Sequence, residues 1–130
     1  MARAYTIATA ALALDVSSKW LDNTLSHFRI DGVLQARQGI ARRLTIESLT
    51  ILSVAILLTH SLEVPLGRAI MIAQQLIATR GRYFADDTLE LVIDLPALHS
   101  QLLNRLERAV EIAPVPRRGR PPKNTTGRLA

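Results

Sequence analysis

Cysteine is absent from all 130 positions. Disulfides, thiolate nucleophiles and thiolate metal ligands are therefore excluded, and a reducing cytoplasm is compatible with the chain. Aromatic residues make up only 4% of the sequence against 48% apolar residues in all, so the core must be built from Leu, Ala and Ile, a balance typical of helical proteins. Long hydrophobic runs are missing as well. Residues 48–62 carry no Lys, Arg, Asp or Glu, but the run is shorter than the roughly 20 residues a membrane span needs. It also contains Thr50, Ser53, Thr59 and His60, so a buried core helix is expected there. The apolar stretch 5–14 after Arg3 has the outline of a short signal peptide, but Asp15 ends it and no cleavage site follows. There is no glycine-rich phosphate loop, no metal-spaced His/Cys set and no Ser/His/Asp constellation, and His27, His60 and His99 fall on different expected elements. The chain is read as a non-enzyme with no cofactor, no metal and no evident small-molecule effector.

Charge is present but unevenly placed. The net charge is +5, and residues after Ala113 account for all of it through Arg117, Arg118, Arg120, Lys123 and Arg128 with no acid among them. Up to Arg43, six basic residues stand against three acids, whereas residues 44–113 hold five basic residues and eight acids. A basic front, an acidic middle and a basic tail suit a polyanion bound at two places.

The front reads as two short helices and a hairpin. Thr6 can cap a helix over residues 5–14, with Ile7, Ala10, Ala11 and Leu14 at helical spacing and alanines thin enough for close approach by another helix. Asp15 and Val16 turn the chain into Ser17 and Ser18, both suitable N-caps for a second helix. In that helix Trp20, Leu21, Leu25 and Phe28 make an apolar stripe, and Lys19, Asn23, Thr24 and His27 are expected to point outward. Such side chains read phosphates and base edges. After a break at residues 29–32, strands 33–36 and 40–44 are expected around the turn Arg37-Gln38-Gly39. That hairpin carries Arg37, Arg42 and Arg43, guanidinium groups able to lie along a phosphate backbone.

Taken in order, residues 5–75 resemble the winged helix-turn-helix of the MerR superfamily. The resemblance rests on Y-T-I-A-T-A-A-L-A-L-D-V-S from Tyr5, K-W-L from Lys19, G-V-L from Gly32 and R-Q-G-I-A-R-R-L-T from Arg37. I-E-S-L-T-I-L from Ile46 stands in place of that family's third helix, and E-V-P-L-G-R-A-I from Glu63 in place of its fourth. It covers a little over half of the chain and implies a second helix in the major groove with the hairpin as a wing. The DNA-contacting residues it implies are Ser17, Ser18, Lys19, Asn23, Thr24, His27, Arg37, Arg42 and Arg43. Asp22 departs from the pattern, standing near a position where the family commonly has a basic contact. Either it accepts from a cytosine amino group, or it pairs with Lys19 or Arg29, or the helix faces DNA differently. There is no long coiled-coil helix, so metal and drug sensing are not implied.

The second half reads as helices and one strand. Thr45 can cap a helix whose Ile46, Leu49, Leu52, Ser53, Ile56 and Leu57 share a face, and a second helix is expected over 65–79 with Arg80-Gly81-Arg82 closing it. Asp86-Asp87 is read as a turn or strand entry, with a pair of catalytic carboxylates as the alternative. Residues 89–95 alternate and predict a strand with no obvious partner, so the wing and the same strand of a second subunit are both candidates. Pro96 opens a helix over 96–112. Leu91, Ile93, Leu95, Leu98, Leu102 and Leu106 are read as a dimer interface, the alternative being that they complete the monomer core.

The tail holds Pro116-Arg117-Arg118-Gly119-Arg120-Pro121-Pro122-Lys123, similar to an AT-hook with Arg118 to Pro121 as its core. Gly119 lets the backbone press to the floor of a narrow A·T minor groove, while Arg117, Arg118, Arg120 and Lys123 meet its negative potential. The alternative is a basic tail touching any phosphate.

The expected fold is mainly α with a small β-hairpin wing. It divides into a winged helix-turn-helix (1–44), a helical core and dimerisation region (45–113) and a disordered basic tail (114–130). The expected function is a dimeric, sequence-specific regulator of transcription, bacterial or phage, cytoplasmic and nucleoid-associated, binding double-stranded DNA and no membrane. An architectural DNA-binding protein and a protein-interaction adaptor are the alternatives.

Overall fold

A computed structural model describes residues 3–35 and 39–113. In chain order the elements are β1 (Ala4–Tyr5), α1 (Ile7–Leu14), α2 (Ser18–His27), β2 (Val33–Leu34), β3 (Arg43–Thr45) and α3 (Ile46–Leu62). They continue with α4 (Leu66–Ala78), β4 (Arg82–Phe84), β5 (Glu90–Val92) and α5 (Leu95–Ile112). The described chain is mainly helical, and none of its helices is long and apolar enough to cross a membrane.

Local chemistry sets the first boundaries. The Thr6 hydroxyl accepts the Thr9 N–H at 3.2 Å and starts α1. Asp15 ends it in the left-handed region at φ 59°, a conformation that Asp tolerates better than most residues. The Ser17 hydroxyl then accepts the Trp20 N–H at 3.0 Å and starts α2 only a few residues later. Residues 4 and 5, the second of them expected in the first helix, instead form a strand edge. β1 pairs with β3 (Ala4 opposite Thr45, Tyr5 opposite Leu44), and β2 pairs with the other side of β3, giving an antiparallel sheet in the order β1-β3-β2.

That sheet is tied to α3 through one glycine. Gly32, at φ +89°, accepts through its carbonyl from the Thr45 hydroxyl at 2.7 Å and from the Thr45 N–H at 3.2 Å. Thr45 is itself the N-cap of α3. A Cβ on Gly32 would lie 2.4 Å from the Thr45 hydroxyl oxygen, so both backbone angle and space require glycine there. α3 buries residues round most of its circumference, with Leu49, Leu52, Val54 and Ala55 fully enclosed, while Leu57, expected on its inner face, is exposed. α4 packs along it.

At the end of α4, Arg80 and Gly81 both take positive φ, and the Gly81 carbonyl accepts from the Ile93 N–H at 2.8 Å. This pins a hairpin that periodicity alone does not reveal. β5 covers Glu90–Val92 rather than residues 89–95, and it pairs with β4 of the same chain rather than with the wing. The register sets Tyr83 opposite Leu91, both partly buried against the core. Phe84 pairs with Glu90 and Val92 with Arg82 on the other face.

The hairpin turn is the expected role of Asp86. Its Oδ1 accepts from the Thr88 N–H, the Thr88 hydroxyl and the Leu89 N–H at 2.6, 2.8 and 2.9 Å. These donors, the Thr88 N–H foremost, hold the carboxyl below the ordinary aspartate range. A lowered folded-state pKa supports the turn fully above the ordinary value of about 3.9, and that support is lost as pH falls through the lowered one. Titration of the Thr88 and Leu89 amide shifts is expected to show a midpoint below that of a free aspartate. A midpoint at the ordinary value would remove these contacts from solution.

α5 starts one residue earlier than predicted, at Leu95, capped by the Asp94 carboxylate, which accepts from the Ala97 N–H at 3.1 Å. It packs on α1, whose Ala10, Ala11 and Ala13 are buried. Two residues of the predicted dimer face are corrected here. Leu102 and Leu106 are each 2% exposed within one chain, and Leu91, Ile93, Leu95 and Leu98 pack partly buried against the same core. Leu102 and Leu106 thus belong to the monomer core, whereas the other four keep part of their surface exposed.

Candidate nucleic-acid interface

A helix as short as α2 presents one face inward and one outward, and spacing decides which. Leu21, Thr24, Leu25 and Phe28 stand at i, i+3, i+4 and i+7, and the first three are buried. Thr24 was expected to point outward, but its place on the apolar stripe leaves it 4% exposed, so it cannot touch DNA. The outward stripe consists of Lys19, Asp22, Asn23 and Ser26, flanked by Ser18 and His27, all exposed. Ser17 is exposed, but its hydroxyl is engaged in capping. The His27 Nδ1 lies 2.7 Å from the Asn23 carbonyl, which only a protonated Nδ1 can satisfy. In the neutral ring Nε2 then remains an acceptor.

Beside this stripe lies the loop between β2 and β3. The predicted strands 33–36 and 40–44 shorten to Val33–Leu34 and Arg43–Thr45, with Leu34 opposite Arg43. Ile40 and Ala41 are loop residues, and the Gln35 side-chain amide donates to the Ile40 carbonyl at 2.9 Å. Gly39 takes the positive φ expected of it, +89°. Arg37 lies outside the described residues, as do Arg117, Arg118, Gly119, Arg120 and Lys123 of the tail. Arg43 is exposed at the start of β3.

Arg42 behaves differently from the free cation the sequence suggested. Its Nη1 donates to Asp22 Oδ1 at 2.8 Å, joining the loop to the outward face of α2 across 20 residues of sequence. Asp22 thus pairs with neither Lys19 nor Arg29. Arg29 and Arg42 both line a cleft of about 350 Å³ between the end of α2 and the loop, together with Phe28, Gly32 and Gln35. Arg29 was absent from the expected contacts, and its position just past α2 was the available signal. Among the described residues, Lys19, Arg29 and Arg43 have no ion-pair partner.

The arrangement sets a polar helix face with a lysine and an amide next to Arg42 of the loop and Arg43 at the start of β3. Such a face can hydrogen-bond base edges while neighbouring guanidinium groups hold phosphates. Comparison with known protein families, curated proteins and solved structures gives no match for the chain.

Proposed function

We propose that the chain is a sequence-specific double-stranded DNA-binding protein that regulates transcription, built as a winged helix-turn-helix. The observation that carries this reading is the outward stripe of α2, presented by a tight turn from α1 and bordered by Arg42 of the loop and Arg43 at the start of β3. α2 enters the major groove, where Lys19 suits guanine and Asn23 suits adenine. The β2–β3 loop lies on the adjacent backbone, and the tail, with its resemblance to an AT-hook, grips A·T-rich minor groove nearby. The protein acts as a homodimer on an inverted repeat with half-sites about one helical turn apart. Self-association has to use side chains left outside the monomer core, and Phe84 and Val92 on the β4–β5 hairpin, 65% and 64% exposed, are available for it.

The test is binding of a fluorescent duplex by the full chain across a salt series. Arg29→Ala with Arg43→Ala is expected to flatten the log–log salt dependence by about 0.9 for each phosphate that is no longer neutralised. An unchanged slope with unchanged affinity would reject this surface as the DNA face. An architectural protein would show the same slope but little preference among sequences. The exposed hairpin residues favour a protein-interaction adaptor as the second reading, which expects no salt-dependent DNA binding at all.

A further inference from the structure

The ion pair between α2 and the loop carries an inference that rests on the DNA-binding reading and sharpens it. An acid on a DNA-facing helix repels phosphate at every site, so its presence there needs an offsetting contact. Arg42 supplies one. The two partners are unequally placed: the Asp22 side chain is 59% exposed and that of Arg42 only 23%. The carboxylate is therefore the outer partner, and the guanidinium supports it from the loop side. Oδ1 is held by Arg42, and Oδ2 has no hydrogen-bond partner among the described residues. Asp22 also shares the outward stripe with Lys19 and Asn23, three and one residues away, so it is presented wherever they are.

The geometry points to Asp22 as a base-reading residue selective for cytosine, with Arg42 as the residue that positions it. An ionised carboxylate is an acceptor only. In the major groove guanine offers two acceptors, thymine an acceptor and a methyl group, and adenine a donor beside the N7 acceptor, which repels a second carboxylate oxygen. Cytosine offers the N4 amino donor without an adjacent acceptor of its own, so it is the base this group accepts from best. Arg42 neutralises the approach to the backbone and anchors one carboxylate oxygen, so the acid discriminates among bases at reduced electrostatic cost.

The test compares random-duplex selection by the full-length wild type with selection by Asp22→Asn and Asp22→Ala. Asp22 is exposed, so both variants are expected to keep the wild-type helical circular dichroism. The wild type is expected to fix a C·G pair at one position of each half-site. Asp22→Asn is expected to move that one position toward A·T, because Asn pairs bidentately with adenine, and Asp22→Ala to leave it unspecified. Discrimination at that position is expected to change about 5- to 150-fold, the range of one base contact. Arg42→Met is expected to weaken the C·G preference while the other positions of the motif persist. Identical motifs from wild type and Asp22→Asn would overturn the inference while leaving the DNA-binding reading intact. Absence of any enriched motif for the wild type would overturn both.

Discussion

Leu106→Ala, like Leu102→Ala, is expected to lower the unfolding free energy by about 2–5 kcal/mol and to leave the oligomeric state unchanged. Both leucines are almost wholly enclosed where α5 crosses α1. Removing either isobutyl group costs its transfer free energy plus that of whatever cavity the neighbouring side chains leave unfilled. Denaturant unfolding measures the first effect and sedimentation the second. If either variant kept full stability and fell from dimer to monomer, these residues would return to an interface between copies. Phe84→Asp with Val92→Asp is the matching control, because those side chains stand outside the core.

Lys19→Ala combined with Asn23→Ala is expected to weaken binding to the selected operator by roughly 2–6 kcal/mol, the sum of two base contacts. Binding to unrelated duplex is expected to change far less, since only one charge is removed. Both residues are exposed on α2 and make no side-chain hydrogen bond or ion pair among the described residues, so stability is expected to stay within about 0.5 kcal/mol. Competition binding with specific and random duplex reads the ratio directly. An equal weakening on both duplexes would make these residues phosphate contacts and move base reading elsewhere.

What the sequence made legible was local. The hydroxyls of Thr6, Ser17 and Thr45 cap the helices they precede, and Asp86 closes a turn, because each acts on backbone groups two or three residues away. The five helices of the described residues follow from apolar spacing and helix-breaking residues between them. Pairings across longer stretches were not legible. β1 is two residues long and β4 three, too short to show alternation, and only their partners β3 and β5 make them strands. Thr24 was misplaced because its polarity was weighed above its spacing: three residues after Leu21, it lies on the inner face whatever its side chain. The Arg42–Asp22 pair depends on the fold bringing a loop beside a helix, which no local pattern encodes. Leu102 and Leu106 were assigned to a dimer face for a related reason. A leucine stripe on a helix reports that something covers it, and here the covering element is α1 of the same chain.

The most direct test of a DNA-reading α2 is selection of random duplex DNA by the full-length protein, followed by sequencing. The expected result is an enriched inverted repeat with A·T-rich flanks, its half-sites one helical turn or a multiple apart. Enrichment of A·T tracts alone, or no enrichment at all, would contradict it.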